Sequence, residues 1–501
     1  MIASKNFAIR SFVLALALVY VGQTVADDQK PPQSSAAPAD QRETVHLLLH
    51  PADLPYAALK YQLLPKGIEK TPGNAAPHYF RAALMMASDK AIQDADAQSS
   101  PGASSQLDEW LNLPVDELSK NEAAQKFFNE RPTGFWDLIN LAAHREQCDW
   151  DLPIREFNMS TLIPELIKLR DMARLLAFKA RVEISRGQFD NALETLKTGF
   201  AVARHAAAAP TLVNAMVGAK ITDLMLEQVR ILIQQPKSPN LYWALTTLPN
   251  PIVDLSTGVE FEGGFVYLFL PELRGIRTAV HTEAEWDKML FQVADKLIKV
   301  LPGIGNQKQD LSWYGIGALF AVTAYPKAKQ QLQEAGYSPS QIKEMPVSQA
   351  ILTAEVEMFD RLNNDTFKWF YVDSASALKG MAEADRDLQE FGKSKREIIP
   401  LASILLPSLR KVKSVEVETD RYVAALRCVE AIRLYAARHH AQLPRQLSDI
   451  NEVPIPNDPV TGQPFSYQSI ESRALITSPA LPGETAIQEI RWEIQLALGK
   501  P

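Results

Sequence analysis

Cysteine is nearly missing from this chain of 501 residues, which has only Cys148 and Cys428. Neither belongs to a CxxC pair or is accompanied by paired histidines, which excludes the common zinc spacings. Two readings stand for them. They are buried thiols packing as small apolar side chains, or they form one disulfide. A lipid-modified N-terminus is excluded too, because no cysteine lies where a lipobox requires one. Catalytic signatures are also lacking: there is no GxSxG, HExxH, GxGxxG or P-loop. Basic excess is lacking, with 52 Lys and Arg against 59 Asp and Glu and a formal charge of −7. An acidic chain without a basic block offers no footprint for nucleic acid and is disfavoured on anionic lipid.

Long hydrophobic runs are scarce. A membrane-spanning helix needs about 20 apolar residues. The run Ile398–Leu409 is interrupted by Pro400 and Pro407, and Phe265–Leu270 has six residues. Both read as buried core or tight corners, the second also as a buried strand entered by a polar loop. Phe12–Val21 is apolar, preceded by Lys5 and Arg10 and followed by Thr24-Val25-Ala26. This is the pattern of a secretory signal peptide over 1–26. It predicts an exported protein, periplasmic or extracellular, with an uncleaved N-terminal anchor as the alternative. Residues 27–43, rich in Pro, Ser, Ala and charge, read as a disordered linker. Ala95–Ser105 reads as a surface loop.

Helical periodicity dominates from there to about residue 410. Leu169, Met172, Ala173, Leu176, Ala180 and Ile184 recur at 3.6-residue spacing. Leu212–Ile233 reads as apolar on nearly all sides, opened by Pro210 and closed by Pro236 and Pro239. Further helices are predicted at Ala75–Ser88, Val115–Asn129, Phe135–Arg145, Glu283–Val300, Ile316–Ala335, Val347–Tyr371 and Ala375–Phe391. The domains expected are a helical one over 44–255, a second helical region over 256–410 and a C-terminal module over 411–501.

Ala180, Gly187, Phe189, Ala192, Leu196 and Gly199 resemble a tetratricopeptide (TPR) repeat. Gly187 would make the turn between two helices, Phe189 would pack the second onto the first, and Ala192 would allow close approach. Glu183 stands where that family usually has an aromatic, and no second clean copy follows at a 34-residue period. The resemblance implies either one isolated helical hairpin or part of a degenerate, irregular helical array, and the second is the expectation here. Residues 59–80 also resemble exported bacterial proteins of unknown function.

The last part of the chain is more specific. A helix over about Val417–His440 is stopped by Leu443-Pro444. Pro454 and Pro456 force extended backbone, and Asn457-Asp458-Pro459 and Thr461-Gly462 signal turns. Phe465–Tyr467 and Ala474–Ile476 read as a hairpin, and Glu489–Leu498 as a third strand or a helix. Leu443-Pro444, Leu447, Asp458-Pro459, Gly462, Pro464-Phe465, Tyr467 and Ser478 resemble the globular part of type II secretion pseudopilins. The resemblance implies a small sheet packed on a long helix. It carries neither calcium nor pilus assembly, because the acidic calcium loop is absent and about 370 residues separate this module from the N-terminal linker. Asp458 is most simply a turn-forming residue.

Chemistry-bearing residues are few. Glu260 and Glu262 flank Phe261 ahead of Gly263-Gly264, and on a strand would face one side beside an apolar wall. Such paired carboxylates can perform acid–base work of the glycosidase kind, and they are the one catalytic candidate. A polar loop entering a buried strand is the plainer reading. His46 and His50 would share a face of a helix, but two imidazoles need a further ligand to hold a metal. His439 and His440 read as solvated residues at a helix end. The expected fold class is therefore mainly α plus a small C-terminal α+β module. The expected function is an exported helical scaffold or adaptor that binds protein partners, without nucleic acid, cofactor or metal. The alternatives are an exported hydrolase using Glu260 and Glu262, or a component of a type II secretion-like assembly. Oligomeric state is left open.

Overall fold

The computed structural model describes residues 44–97, 104–131, 133–154, 164–300, 313–394, 398–399, 409–480 and 489–497. The expected signal peptide and linker, and most of the run 398–409, lie outside them. The chain is mostly helical with a small sheet. It forms two compact units. Among the described residues one holds those within 44–152, 164–258 and 414–497, and the other those within 153–154 and 259–413.

The first unit opens with β1, Val45–Leu49, and β2, Thr71–Asn74. Six short helices follow: α1 Ala76–Ser88, α2 Lys90–Asp96, α3 Gln106–Asn112, α4 Val115–Lys120, α5 Glu122–Asn129 and α6 Thr133–Ala143. The single helix expected over Val115–Asn129 is two, because Asn121 has an extended backbone and its side chain accepts from Ala124 N–H, starting a new helix. Next, β3 Arg145–Gln147 pairs with β2 in parallel. Then come α7 Pro164–Ser185, α8 Phe189–Ala206, α9 Leu212–Ile233 and the short α10 Tyr242–Thr246.

Helices α7 and α8 form an antiparallel hairpin. Gly187 turns the chain at φ +69°, where glycine carries no Cβ penalty. Gly187 N–H donates to Ile184 O, and Gln188 N–H to Glu183 O, so the last carbonyls of α7 are satisfied in a Schellman arrangement. Ala180, Ala192 and Leu196 are fully buried between helices, while Phe189 is half-buried. Glu183 is buried and accepts from Lys179 and from Thr195 Oγ1. Where an aromatic would pack, this hairpin carries a polar triad. Thr211 caps α9 by accepting from Asn214 N–H. The α8–α9 contact is close at Gly218, where an added Cβ would lie 2.6 Å from Ala203 O.

The second unit contains α11 Ser256–Phe269 (from residue 259), α12 Glu283–Val300, α13 Trp313–Glu334, α14 Pro339–Glu344, α15 Val347–Phe367 and α16 Ser374–Lys393. Ala350, Ile351 and Ala354 of α15 are fully buried against Ala324, Ala328 and Leu332 of α13 and Ile342 of α14. A 3-10 turn, Lys368–Tyr371, replaces the predicted last turn of α15. The strand predicted at Phe265–Leu270 is instead the end of α11. A run of six apolar residues has no period of its own, and Val259 and Val266, two turns apart and both buried, supply the helical one.

Finally, α17 Leu409–Arg438 gives residues 414–438 to the first unit. It is longer at its start than predicted. Three strands follow: β4 Ser466–Ile470, β5 Arg473–Ser478 and β6 Ile490–Leu496. The sheet order is β1-β6-β5-β4, with β1 parallel to β6 and the other pairs antiparallel. Leu47, Leu49, Ala474, Ile476, Trp492, Ile494 and Leu496 are buried, following the two-residue strand period. Tyr422 of α17 meets Trp492 edge to face at 5.2 Å between centroids. The domains expected at 44–255 and 411–501 are thus one unit, because β1 completes the sheet.

Arg433 and Glu430 on α17 have no exposed side-chain surface. Arg433 donates to both Glu430 oxygens at 2.9 and 3.0 Å, to Ser238 O and Oγ at 3.0 and 2.8 Å, to Pro239 O at 3.3 Å and to His50 O at 3.0 Å. Asn240 Nδ2 donates to Glu430 O at 2.9 Å. Burial pushes the Glu430 carboxyl upward, and Arg433 opposes that shift. The pair thus joins the residue after β1, the loop after α9 and α17.

Two outcomes are expected in chemical denaturation. Arg433→Ala strands a buried carboxylate and should cost about 3–5 kcal/mol, against under about 1 kcal/mol for Arg438→Ala, whose partner Asp53 is exposed. Gly218→Ala meets backbone that cannot yield and should cost about 1–3 kcal/mol.

Candidate functional site

In the first unit, the beginnings of β1 and β6 face α9 and α17 across an open groove of about 360 Å³. Its walls include Asp223 and Glu227 of α9, Arg421 and Tyr422 of α17, and Arg491 and Trp492 of β6. Asp223 accepts from Lys220 Nζ at 3.2 Å and Thr419 Oγ1 at 3.1 Å. It keeps 40% of its side-chain surface open, yet protein surrounds it on most sides, as at the floor of a depression. That burial raises its carboxyl above the usual value, against the pull of Lys220 and Thr419. Glu227 accepts from Arg230 Nε at 2.9 Å and Tyr422 O–H at 3.3 Å. Burial and the neighbouring Glu227 charge push the Tyr422 phenol up, so it stays protonated. Arg491 Nε donates to Thr44 Oγ1 at 3.2 Å. The groove therefore combines ion pairs already formed with two aromatic rings.

The sequence reading missed this groove. It took α9 as apolar on nearly all sides, but Lys220, Asp223, Glu227 and Arg230 make a charged stripe at spacings of three and four. That stripe was the signal available.

The catalytic candidates are not brought together. On α11 two positions two apart point about 200° apart around the axis, so Glu260 and Glu262 do not face one side as they would on a strand. Glu260 is exposed and accepts from Tyr371 O–H at 3.2 Å. His46 lies on β1, opposite Glu493 in register, with Nδ1 3.1 Å from its carboxylate. His50 follows the strand, and burial with the Arg433 charge lowers its pKa. Among the described residues no group of three or more His, Cys, Asp or Glu is placed to hold a metal. His439 and His440 are exposed, and His439 Nε2 is 3.0 Å from Glu452.

Both cysteines are free thiols, Cys428 buried and Cys148 half-buried. Burial pushes Cys428 up to about 12, and burial with the Asp149 charge raises Cys148 further. Neither is a thiolate at neutral pH. Asp458 is buried and holds the turn before β4. It accepts from Val460 N–H at 2.9 Å and Ser478 Oγ at 2.6 Å, while Gly462 N–H donates to its backbone oxygen at 2.8 Å. Pro459 continues this turn, and Gly462 closes it at φ +69°. Tyr467 O–H donates to Pro444 O at 2.9 Å, fixing β4 to the segment after α17.

A second cluster joins Tyr79 of α1, His205 of α8 and Trp150. Tyr79 O–H lies 2.9 Å from His205 Nδ1, Trp150 Nε1 donates to His205 O at 2.7 Å, and the Tyr79 and Trp150 rings stack at 5.7 Å. Burial, then the Arg204 and Lys70 charges, lower His205 to about 4, so its ring is neutral at pH 7. Its two nitrogens are spent on Tyr79 and on the Arg145 backbone, which makes it a packing element.

Among the described residues no helix is long and apolar enough to cross a membrane. Comparisons with protein-family models, curated proteins and solved structures give no match.

A depressed histidine pKa stabilises the fold fully above the unfolded value of about 6.5, and the gain is lost as pH falls toward 4. Between those pH values, unfolding free energy should drop by roughly 3 kcal/mol on account of His205. Denaturant melts at stepped pH check this, and His205→Asn should flatten that part of the profile.

Proposed function

We propose that this protein is an exported, non-enzymatic scaffold that binds protein partners, using the groove between α9, α17 and the sheet. The observation that carries this reading is the state of the groove's charges. Asp223 is already held by Lys220 and Glu227 by Arg230, so both carboxylates are engaged in ion pairs within α9. Paired charges beside the half-buried Tyr422, which rests on the buried Trp492, give a polar surface with an aromatic ring at its centre, a composition that suits protein binding. The α7–α8 hairpin stacked with α9 supplies a rigid support and is consistent with a TPR-like origin.

The hydrolase alternative has less support, since Glu260 is exposed and turned away from Glu262. A type II secretion-like assembly has less support as well. That role asks for a C-terminal module free to assemble, whereas α17 carries the buried Glu430–Arg433 pair and the sheet takes β1 from the other end of the chain. The pseudopilin-like module serves, in this reading, as a structural part. Export is inferred from residues 1–26.

The test is cross-linking in cells followed by mass spectrometry, comparing the native chain with Glu227→Lys and with the surface control Lys379→Glu. Partners captured by the native chain and the control, and lost from Glu227→Lys, are expected. If the native chain captures nothing above background, or if Glu227→Lys captures the same set, the groove is not the binding site.

A further inference from the structure

The sheet has two edges, and they are treated differently. At β1 the outer edge is met at one point: Leu48 N–H donates to Gln234 Oε1 at 3.3 Å, supplied by the end of α9. At β4, Ser466–Ile470, the inner edge pairs with β5 from Ser466↔Thr477 to Ile470↔Arg473. Its outer edge meets no backbone or side-chain partner for the N–H and C=O groups among the described residues. The side chains of Tyr467 and Ser469 turn to Pro444 O and Arg445 O on one face, and among the described residues they leave the edge itself open.

An open edge is normally blunted by charge, proline or a bulge, because it is a template for another strand. β4 has none of these. Its sequence is Ser-Tyr-Gln-Ser-Ile, its pairing with β5 runs in unbroken register, and Ser466, Gln468 and Ile470 are exposed, Ile470 at 73%. We propose that β4 pairs with β4 of a second copy of this chain, antiparallel and about a two-fold axis near Gln468. The choice of a second copy follows from the side chains. Pairing about Gln468 sets Gln468 beside its own copy, Tyr467 opposite Ser469 and Ser466 opposite Ile470. A strand that faces itself must not carry charge near its axis, since like charges directly opposite repel, and this one carries none. The join is isologous and closed, so it stops at two copies. It makes one eight-stranded sheet in the order β1-β6-β5-β4-β4-β5-β6-β1. This inference does not depend on the groove or on its partners.

The experiment is sedimentation of the full mature chain between about 1 and 100 μM, with Gln468→Lys and Ile470→Lys alongside. Both positions are exposed, so the substitutions spare the core, and thermal unfolding confirms that each variant is folded. The native chain should sediment as a dimer at the upper concentrations. Gln468→Lys places two ammonium groups across the axis and should weaken dimerisation about tenfold or more, with Ile470→Lys acting in the same direction. A native chain that is monomeric throughout overturns the proposal. So does a dimer that both folded variants form as tightly as the native chain.

Discussion

The first unit depends on a single buried guanidinium. Arg433 is closed off from water, and its donors reach Glu430, Ser238, Pro239 and His50. Two stretches far apart in sequence, the residue after β1 and the loop after α9, are thereby fixed to one point of α17. A charge in that position is tolerable only if every donor is used, since desolvation costs several kcal/mol per ion and partial pairing does not recover it. The requirement sets geometry more than it adds stability. The loop at 238–240 must offer its oxygens, and the chain must leave β1 with His50 O pointing inward. Once these hold, β1 lies beside β6 and the sheet is complete.

The groove is a consequence of the same placement. It opens where β1 and β6 begin, between the charged stripe of α9 and the polar flank of α17. Its ion pairs lie along α9 itself, so the wall is set by one helix. Tyr422 links the two helices by its hydrogen bond to Glu227 and the sheet by its contact with Trp492. The carboxylates of Asp223 and Glu227 are thus each held by a cation of their own helix.

Much of the architecture was legible in the sequence, and for identifiable reasons. Long helices such as α9 and α15 have many apolar positions at one period, and Gly187 marked the hairpin because only glycine sits easily at its φ. The turn at Asp458–Gly462 and the strands around it followed from local chemistry. What escaped was long-range or ambiguous. Phe265–Leu270 is too short to show whether its period is two or 3.6. Val45–Leu49 alternates weakly, and nothing local says that its partner lies at Trp492–Leu496. In its local sequence Arg433 is one more polar residue on a helix, since burial of a charge is decided by groups some 200 and 380 positions away. The groove was hidden by counting apolar residues on α9 without tracing the charged ones.

The pairing of β1 with β6 has a consequence for the order of assembly. Val45 and Trp492 are neighbours in the sheet, yet almost the whole chain separates them. Closing so long a loop is slow compared with forming the helical hairpins, whose contacts are local. During synthesis the α7–α9 helices have all they need long before β6 exists, while Leu47 and Leu49 have no sheet to join. Those leucines have no strand beside them until β6 has been made, a long interval in which a nascent chain is open to chaperones, proteases and its own neighbours.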